Sequence, residues 1–311
     1  MVRADLRASY QDVAFTTATP FESDGSTVDH TALVDNISKL YDSGARQFVP
    51  CGNTGEYYSL TDEERVDVVA SHVEAVGPEA TITAGAAGSL VEVERLASAY
   101  EDAGADALMV MHPDHTYVHE TGLKEYYHRI CDSTDLGVVI YKRGPQVTRD
   151  VIADVSEREN LVAVKFAVND IKEFSQTVDD VPGELTWVNG IAERYALAFA
   201  IEGATGYTTG IGNFVPEATL ALHAAVESRD WTRARRIQQS LRPYEDLREQ
   251  AGEENNIAAA NNVSAVKYGM DLAGYRGGVV RSPLVELSEE DKSRADDYYR
   301  QIQSEPLHET A

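Results

Sequence analysis

A lysine set among aliphatic neighbours has chemistry open to it that a hydrated lysine lacks. Lys165 lies in Leu161-Val162-Ala163-Val164-Lys165-Phe166-Ala167, a short apolar run of the kind that forms a strand buried on both faces. Dehydrating an ammonium favours the neutral amine and lowers its pKa, and a neutral amine attacks ketones to form Schiff bases. The bland alternative is a strand that ends at Lys165, with the head group reaching back to water. The other lysines, Lys39, Lys124, Lys142, Lys172, Lys267 and Lys292, fall in expected helices or polar loops. None of them combines burial with a strand end, so elimination favours Lys165 as the nucleophile.

Further candidates stand at the ends of other β-rich runs. Gly52-Asn53-Thr54-Gly55-Glu56 is a tight loop in which Gly52 and Gly55 let backbone N–H groups converge on an anion, with Asn53 and Thr54 adding polar side chains. An ordinary turn reads the same way locally. Tyr141 could relay protons to an amine, and Arg143 offers a fork for an oxyanion; a core tyrosine and a solvated Lys142-Arg143 pair is the alternative. Asn189, Gly190 and Thr208 are small or polar groups that leave room for a ligand. His112, His115 and His119, with Asp114, raise a rival chemistry, a divalent metal, although Pro113 interrupts their spacing. The reading adopted is no metal and no cofactor beyond the covalent adduct on Lys165.

The elements that must hold these groups form a repeat. β-rich runs occur at Val13–Thr19, Gln47–Cys51, Thr81–Gly85, Ala107–Met111, Gly137–Tyr141, Val162–Phe166, Leu185–Asn189 and Thr205–Thr209. Amphipathic stretches such as Thr31–Tyr41, Thr61–Val76 and Leu90–Asp102 separate them, and Thr61-Asp62-Glu63-Glu64 reads as a capping box. Gly44-Ala45, Gly104-Ala105 and Gly203-Ala204 each stand between a helix end and the next strand, where glycine supplies a left-handed cap. Strands alternating with helices pair in parallel through right-handed crossovers, and a run of eight predicts a closed (β/α)₈ TIM barrel over residues 1–214. An open doubly wound sheet is the runner-up, but no GxGxxG follows the first strand. Helical patterns at Pro216–Glu227, Trp231–Ala251, Ala258–Ala273 and Glu289–Gln303 predict a C-terminal helical extension over residues 215–311, packed on the barrel.

Composition narrows the partners. The formal charge of −25 is spread along the chain, which argues against nucleic acid and anionic membrane. Such self-repulsion is tolerable where salt shortens the Debye length to about 3 Å near 1 M, so a salt-adapted, halophilic cytoplasm is expected. No charged leader with an apolar core and no bilayer-length apolar run is seen, consistent with a soluble cytoplasmic chain. Cys51 and Cys131 form no metal or redox spacing and read as buried thiols.

Taken in order, the loop Gly52–Glu56, Tyr141 and Lys165 resemble the GxTGE loop, strand-five tyrosine and strand-six lysine of the dihydrodipicolinate synthase/N-acetylneuraminate lyase superfamily of Schiff-base enzymes. Gly55-Glu56-Tyr57-Tyr58-Ser59-Leu60-Thr61, Tyr141-x-Arg143 and Asn213-Phe214-Val215-Pro216-Glu217 resemble its sugar-acid dehydratase branch, typified by 5-dehydro-4-deoxyglucarate dehydratase. Asn53 stands where the synthase has a second hydroxyl, and Gln146 where it has an arginine, which argues against lysine biosynthesis. Phe166-Ala167-Val168-Asn169-Asp170 replaces the dehydratase's acidic, glycine-rich stretch and makes a five-carbon acid attractive. The resemblance implies a hydro-lyase and a homotetramer acting on a small keto sugar acid. Lys165 would attack the ketone, Tyr141 and Thr54 would move protons, and Gly52, Asn53, Gly55, Arg143, Asn189, Gly190 and Thr208 would bind substrate. An aldolase releasing pyruvate, dihydrodipicolinate synthase and a non-catalytic keto-acid-binding protein are the alternatives.

Overall fold

Eight parallel strands pair in chain order and close on themselves, β8 against β1. They are β1 (Val13–Phe15), β2 (Gln47–Phe48), β3 (Thr81–Ala86), β4 (Ala107–Met111), β5 (Gly137–Lys142), β6 (Leu161–Phe166), β7 (Thr186–Asn189) and β8 (Gly206–Thr209). The computed structural model describes residues 3–307. Helix α1 (Arg3–Ser9) precedes the barrel. The crossovers carry α2 (His30–Asp42), α3 (Asp62–Ala75), α4 (Leu90–Asp102), α5 (Glu120–Ser133), α6 (Arg149–Val155), α7 (Ile171–Asp180) and α8 (Ala196–Ile201). After β8 come α9 (Pro216–Glu227), α10 (Trp231–Arg248), α11 (Asn262–Leu272) and α12 (Glu289–Ser304). The fold is the (β/α)₈ barrel with C-terminal helices that the strand–helix repeat predicts.

Local chemistry sets the boundaries. Thr61 and Ser89 each close a full capping box, with Glu64 and Glu92, at the starts of α3 and α4. At the end of α2, Gly44 takes φ 106°; its N–H donates to Tyr41 O and that of Ala45 to Leu40 O, both at 3.0 Å. This is a Schellman ending, and only a residue without Cβ adopts that φ without strain. β1 and β2 stop earlier than the sequence pattern suggests. Thr16–Thr19 leaves the ladder to line the mouth, Thr19 Oγ1 donating to Gly55 O at 3.0 Å, and Cys51 at φ 57° turns the chain after β2.

The two-residue period of the strands sorts the side chains into two layers. Tyr141 of β5, Lys165 of β6 and Val188 of β7 are consecutive partners in the ladder. Lys165 and Val188, together with Ala14, Val49, Thr83, Met109, Val139 and Thr208, surround a small space inside the barrel. The alternate register of Lys142, Phe166 and Asn189 faces the helices, and Phe166 packs on Phe174 of α7 with ring centroids 5.1 Å apart. α9, grouped with the extension on sequence grounds, lies on the barrel wall, with Tyr207 Oη donating to Thr219 O at 2.6 Å. α10 packs on α9, α11 and α12, so that the end of α10 and the start of α11 overhang the C-terminal mouth.

Candidate active site

A cavity of about 520 Å³ opens at the C-terminal ends of the strands, where (β/α)₈ enzymes place their chemistry. Asn53, Thr54, Tyr141, Arg143, Lys165, Gly190 and Thr208 line it. Lys165 is 7% exposed, and its amine lies 4.3 Å from the centre of the Tyr141 ring. Burial, then the charges of Arg143 and Arg248, push its pKa down from 10.5 to about 7. Gly190 makes room for it: a Cβ there would stand 2.7 Å from Ala167 Cβ and 3.0 Å from Lys165 Cγ.

Tyr141 is buried, and burial raises its pKa, partly offset by Arg143, which keeps the phenol protonated at neutral pH. Asn53 Nδ2 donates to Tyr141 Oη at 3.2 Å. Because the amide supplies that hydrogen, the phenol's own proton is left for a bound molecule. The expected relay between Tyr141 and Thr54 is not what the geometry forms. Thr54 Oγ1 lies 3.2 Å from Thr16 Oγ1, whose proton goes to Thr209 O at 2.6 Å, and Asn53 takes the place beside the phenol.

Three other expected ligand residues stand behind the surface. Gly52 and Gly55 do not line the cavity; a Cβ on Gly55 would lie 2.9 Å from Thr17 O, so its absence lets the loop pack against the Thr16–Thr19 segment that follows β1. Asn189 has outward parity and folds the turn after β7, accepting from Ile191 N at 2.8 Å and donating to Ala192 O at 2.9 Å. Lys142 corrects the reading of a solvated pair. It is the last residue of β5, fully buried, and its amine meets Glu173 at 2.9 Å and Val147 O at 2.7 Å. Lys267 is buried as well, 2.5 Å from Glu56 Oε1, while Glu56 Oε2 accepts from Arg281 N at 3.1 Å. Among the described residues no carboxylate lies within ion-pair distance of Lys165.

The β4–α5 histidines do not converge. His115 Nδ1 accepts from Tyr117 N and His119 Nδ1 from Thr121 N, each a local turn or cap, and His112 borders an adjoining cleft with Asp114 and Arg143. No set of three His, Cys, Asp or Glu side chains among the described residues is gathered as a metal would require. Sequence reasoning missed Arg248 and Asn262, which reach the cavity from α10 and α11 and carry no local motif. It also missed Glu193, a buried carboxyl beside Thr219 whose pKa rises to about 7 through burial and the neighbouring Glu245.

A barrel with a buried lysine facing a phenol at its mouth defines a class, and the comparisons agree. Residues 10–302 match the Dihydrodipicolinate synthetase family. A probable 5-dehydro-4-deoxyglucarate dehydratase of Saccharopolyspora erythraea is 34% identical over 85% of this chain and 84% of its own. A 4-hydroxy-tetrahydrodipicolinate synthase of Haloarcula marismortui is 29% identical over 93% of this chain and 92% of its own. The crystal structure of a dihydrodipicolinate synthase from Oceanobacillus iheyensis superposes with a TM-score of 0.91 at 31% identity, covering 97% of this chain and all of that one. The chain belongs to the dihydrodipicolinate synthetase family, and it is a lyase. None of its described helices is long and apolar enough to cross a membrane.

Proposed function

We propose that the protein is a hydro-lyase that dehydrates a 2-keto-3-deoxy sugar acid through a Schiff base on Lys165. The observation that carries this reading is an amine with a pKa pushed down to about 7, held against the Tyr141 ring and without a carboxylate partner among the described residues. Relatives named as probable 5-dehydro-4-deoxyglucarate dehydratases, about one-third identical over most of the chain, favour dehydration over synthesis of a lysine precursor. The side chain of Asn53 beside Tyr141, where the synthase has a hydroxyl, points the same way.

The neutral amine of Lys165 adds to the ketone, and the carbinolamine loses water as Tyr141 protonates the departing oxygen, leaving an iminium. The iminium draws electrons from the adjacent CH₂, whose proton is lost to give an enamine. The enamine then expels the hydroxyl on the following carbon as water. Tautomerisation and hydrolysis free the lysine. A five-carbon 2-keto-3-deoxypentonate thereby loses one water to give 2,5-dioxopentanoate. 5-Keto-4-deoxyglucarate reaches the same product by losing one water and one carbon dioxide. The carboxylate next to the ketone would rest on the Asn53–Thr54 loop, which lines the cavity.

Product analysis tests the reaction class. Incubation with both keto acids is expected to yield 2,5-dioxopentanoate; pyruvate with an aldehyde would identify an aldolase instead, and binding without turnover a keto-acid-binding protein. We further infer that the acidic chain works in a salt-rich cytoplasm as a homo-oligomer. An unfolding midpoint that rises steeply between dilute and molar potassium chloride, and a tetramer mass by light scattering, are the expected results.

A further inference from the structure

Asn262, the first residue of α11, is half-buried and lines the cavity from the helices beyond the barrel. Buried partners at the end of α10 set its orientation. Glu245 Oε1 accepts from Arg248 Nη1 at 2.6 Å, and Arg248 Nη2 donates to Asn262 Oδ1 at 3.1 Å. A guanidinium has donors only, so the amide must turn its oxygen towards Arg248 and its NH₂ away. Asn262 Nδ2 has no hydrogen-bond partner among the described residues and, unlike Arg248 Nε, is not enclosed by protein. Arg248 itself is committed. Glu245 answers its charge, and Gly210 leaves its seat open, since a Cβ there would stand 2.3 Å from Nη2.

What surrounds that NH₂ points to the ligand. Ala258, Ala259 and Val263 lie beside Asn262 in the chain and line the cavity. Pro283 and Leu284 line it too, and the bond from Ser264 Oγ to Val285 O brings them alongside α11. A carboxylate placed on this apolar stretch would exchange its water for one neutral amide, which is unfavourable. A hydroxyl on a short carbon chain fits instead: its carbon packs on the wall, and its oxygen accepts an N–H. The reacting centre is near. Arg248, which Asn262 touches, is close enough to Lys165 for its charge to help hold the amine's pKa down.

We propose that Asn262 is a specificity-determining residue whose NH₂ donates to the terminal hydroxyl oxygen of the substrate, so that the cavity selects keto acids ending in a primary alcohol. Arg248 is a positioning residue that acts through it. The inference rests on the Schiff-base dehydration proposed above. With the ketone carbon on Lys165 and the carboxylate on the Asn53–Thr54 loop, the tail of a 2-keto-3-deoxypentonate runs towards the start of α11. The hydroxyl that departs is one carbon nearer the ketone and is not the one Asn262 holds.

Steady-state kinetics on 2-keto-3-deoxypentonate and 4-hydroxy-2-ketopentanoate test it with the wild type, N262A and R248K. The second acid keeps the departing hydroxyl but ends in a methyl group. The wild type is expected to favour the pentonate in kcat/KM by about 10-fold or more, because the methyl analogue leaves an amide N–H unpaired. N262A should bring that ratio to within about 2-fold of unity, mainly by raising the pentonate KM, as loss of a remote binding contact does. R248K keeps a cation for Glu245 but lacks the planar fork that spans Glu245 and Asn262 together, so its ratio should fall part of the way. Should N262A fold poorly, R248K decides, and an unmoved ratio there overturns the proposal. A wild-type ratio near one, a ratio unmoved by N262A, or equal losses on both acids would also overturn it. Borohydride trapping of pyruvate on the wild type separates the layers: no adduct removes the underlying Schiff base, whereas an adduct with an unaltered ratio removes only the role of Asn262.

Discussion

Lys165 on β6 and Lys267 on α11 are both buried, and they differ in what meets the amine. Lys267 finds Glu56 at 2.5 Å and Val279 O at 2.6 Å; burial lowers its pKa, but Glu56 opposes the shift. Lys165 finds an aromatic face and two arginines, and all the named influences act in one direction. Burial alone does not make a nucleophile. A carboxylate turns a buried lysine into a tie between segments, here the Gly52–Glu56 loop and the chain around Val279 and Arg281, whereas like charge and dry surroundings leave a reactive amine.

Four substitutions sharpen or break that contrast. Apart from loss of the nucleophile itself, the largest effect is expected at the phenol that faces Lys165: Tyr141→Phe should lower kcat about 10²–10⁴-fold, read under saturating substrate, with folding intact by circular dichroism. Lys267→Met leaves Glu56 buried and unpaired, so the unfolding free energy should fall by about 3–5 kcal/mol in denaturant titrations at fixed salt. Lys165→Met should do the opposite. It removes an amine that is about 7 in the fold against 10.5 as the ordinary value, and should stabilise by roughly 0.5–2 kcal/mol near neutral pH. The cost of burying that amine is complete below pH 7, declines as pH rises from 7 to 10.5 and vanishes above, so the mutant's advantage should shrink over that window. The smallest effect is at Arg143, exposed on the rim: Arg143→Gln removes one depressing charge, so the acid limb of kcat/KM should move to higher pH by less than about one unit.

The barrel was legible because its signals are local and repeated. Thr61 and Glu64 cap α3 as their spacing predicts, and Gly44-Ala45 ends α2 as a glycine-capped turn should. Lys165 was legible because its neighbours in sequence are also its neighbours in the sheet. Strand parity explains the misses: Lys142 and Asn189 stand at strand ends like Tyr141 and Lys165, but in the register that faces the helices. The choice of Thr54 over Asn53 as the partner of Tyr141 turned on one residue of loop geometry, set by Cys51 and Glu56 at positive φ. Arg248 and Asn262 could not be found locally, since their contribution depends on how α10 and α11 fold back over the mouth. Ala258 and Ala259, expected within α11, instead border the cavity ahead of it, with Ala259 N held by Glu249 O at 3.0 Å.

The most direct measurement of the central claim is borohydride trapping with a keto acid across pH, with the modified peptide identified by mass spectrometry. One reduced adduct is expected, on Lys165, with a yield that rises to half-maximum near pH 7, where the amine loses its proton. An adduct on another lysine, none at all, or a half-maximum near pH 10.5 would contradict it.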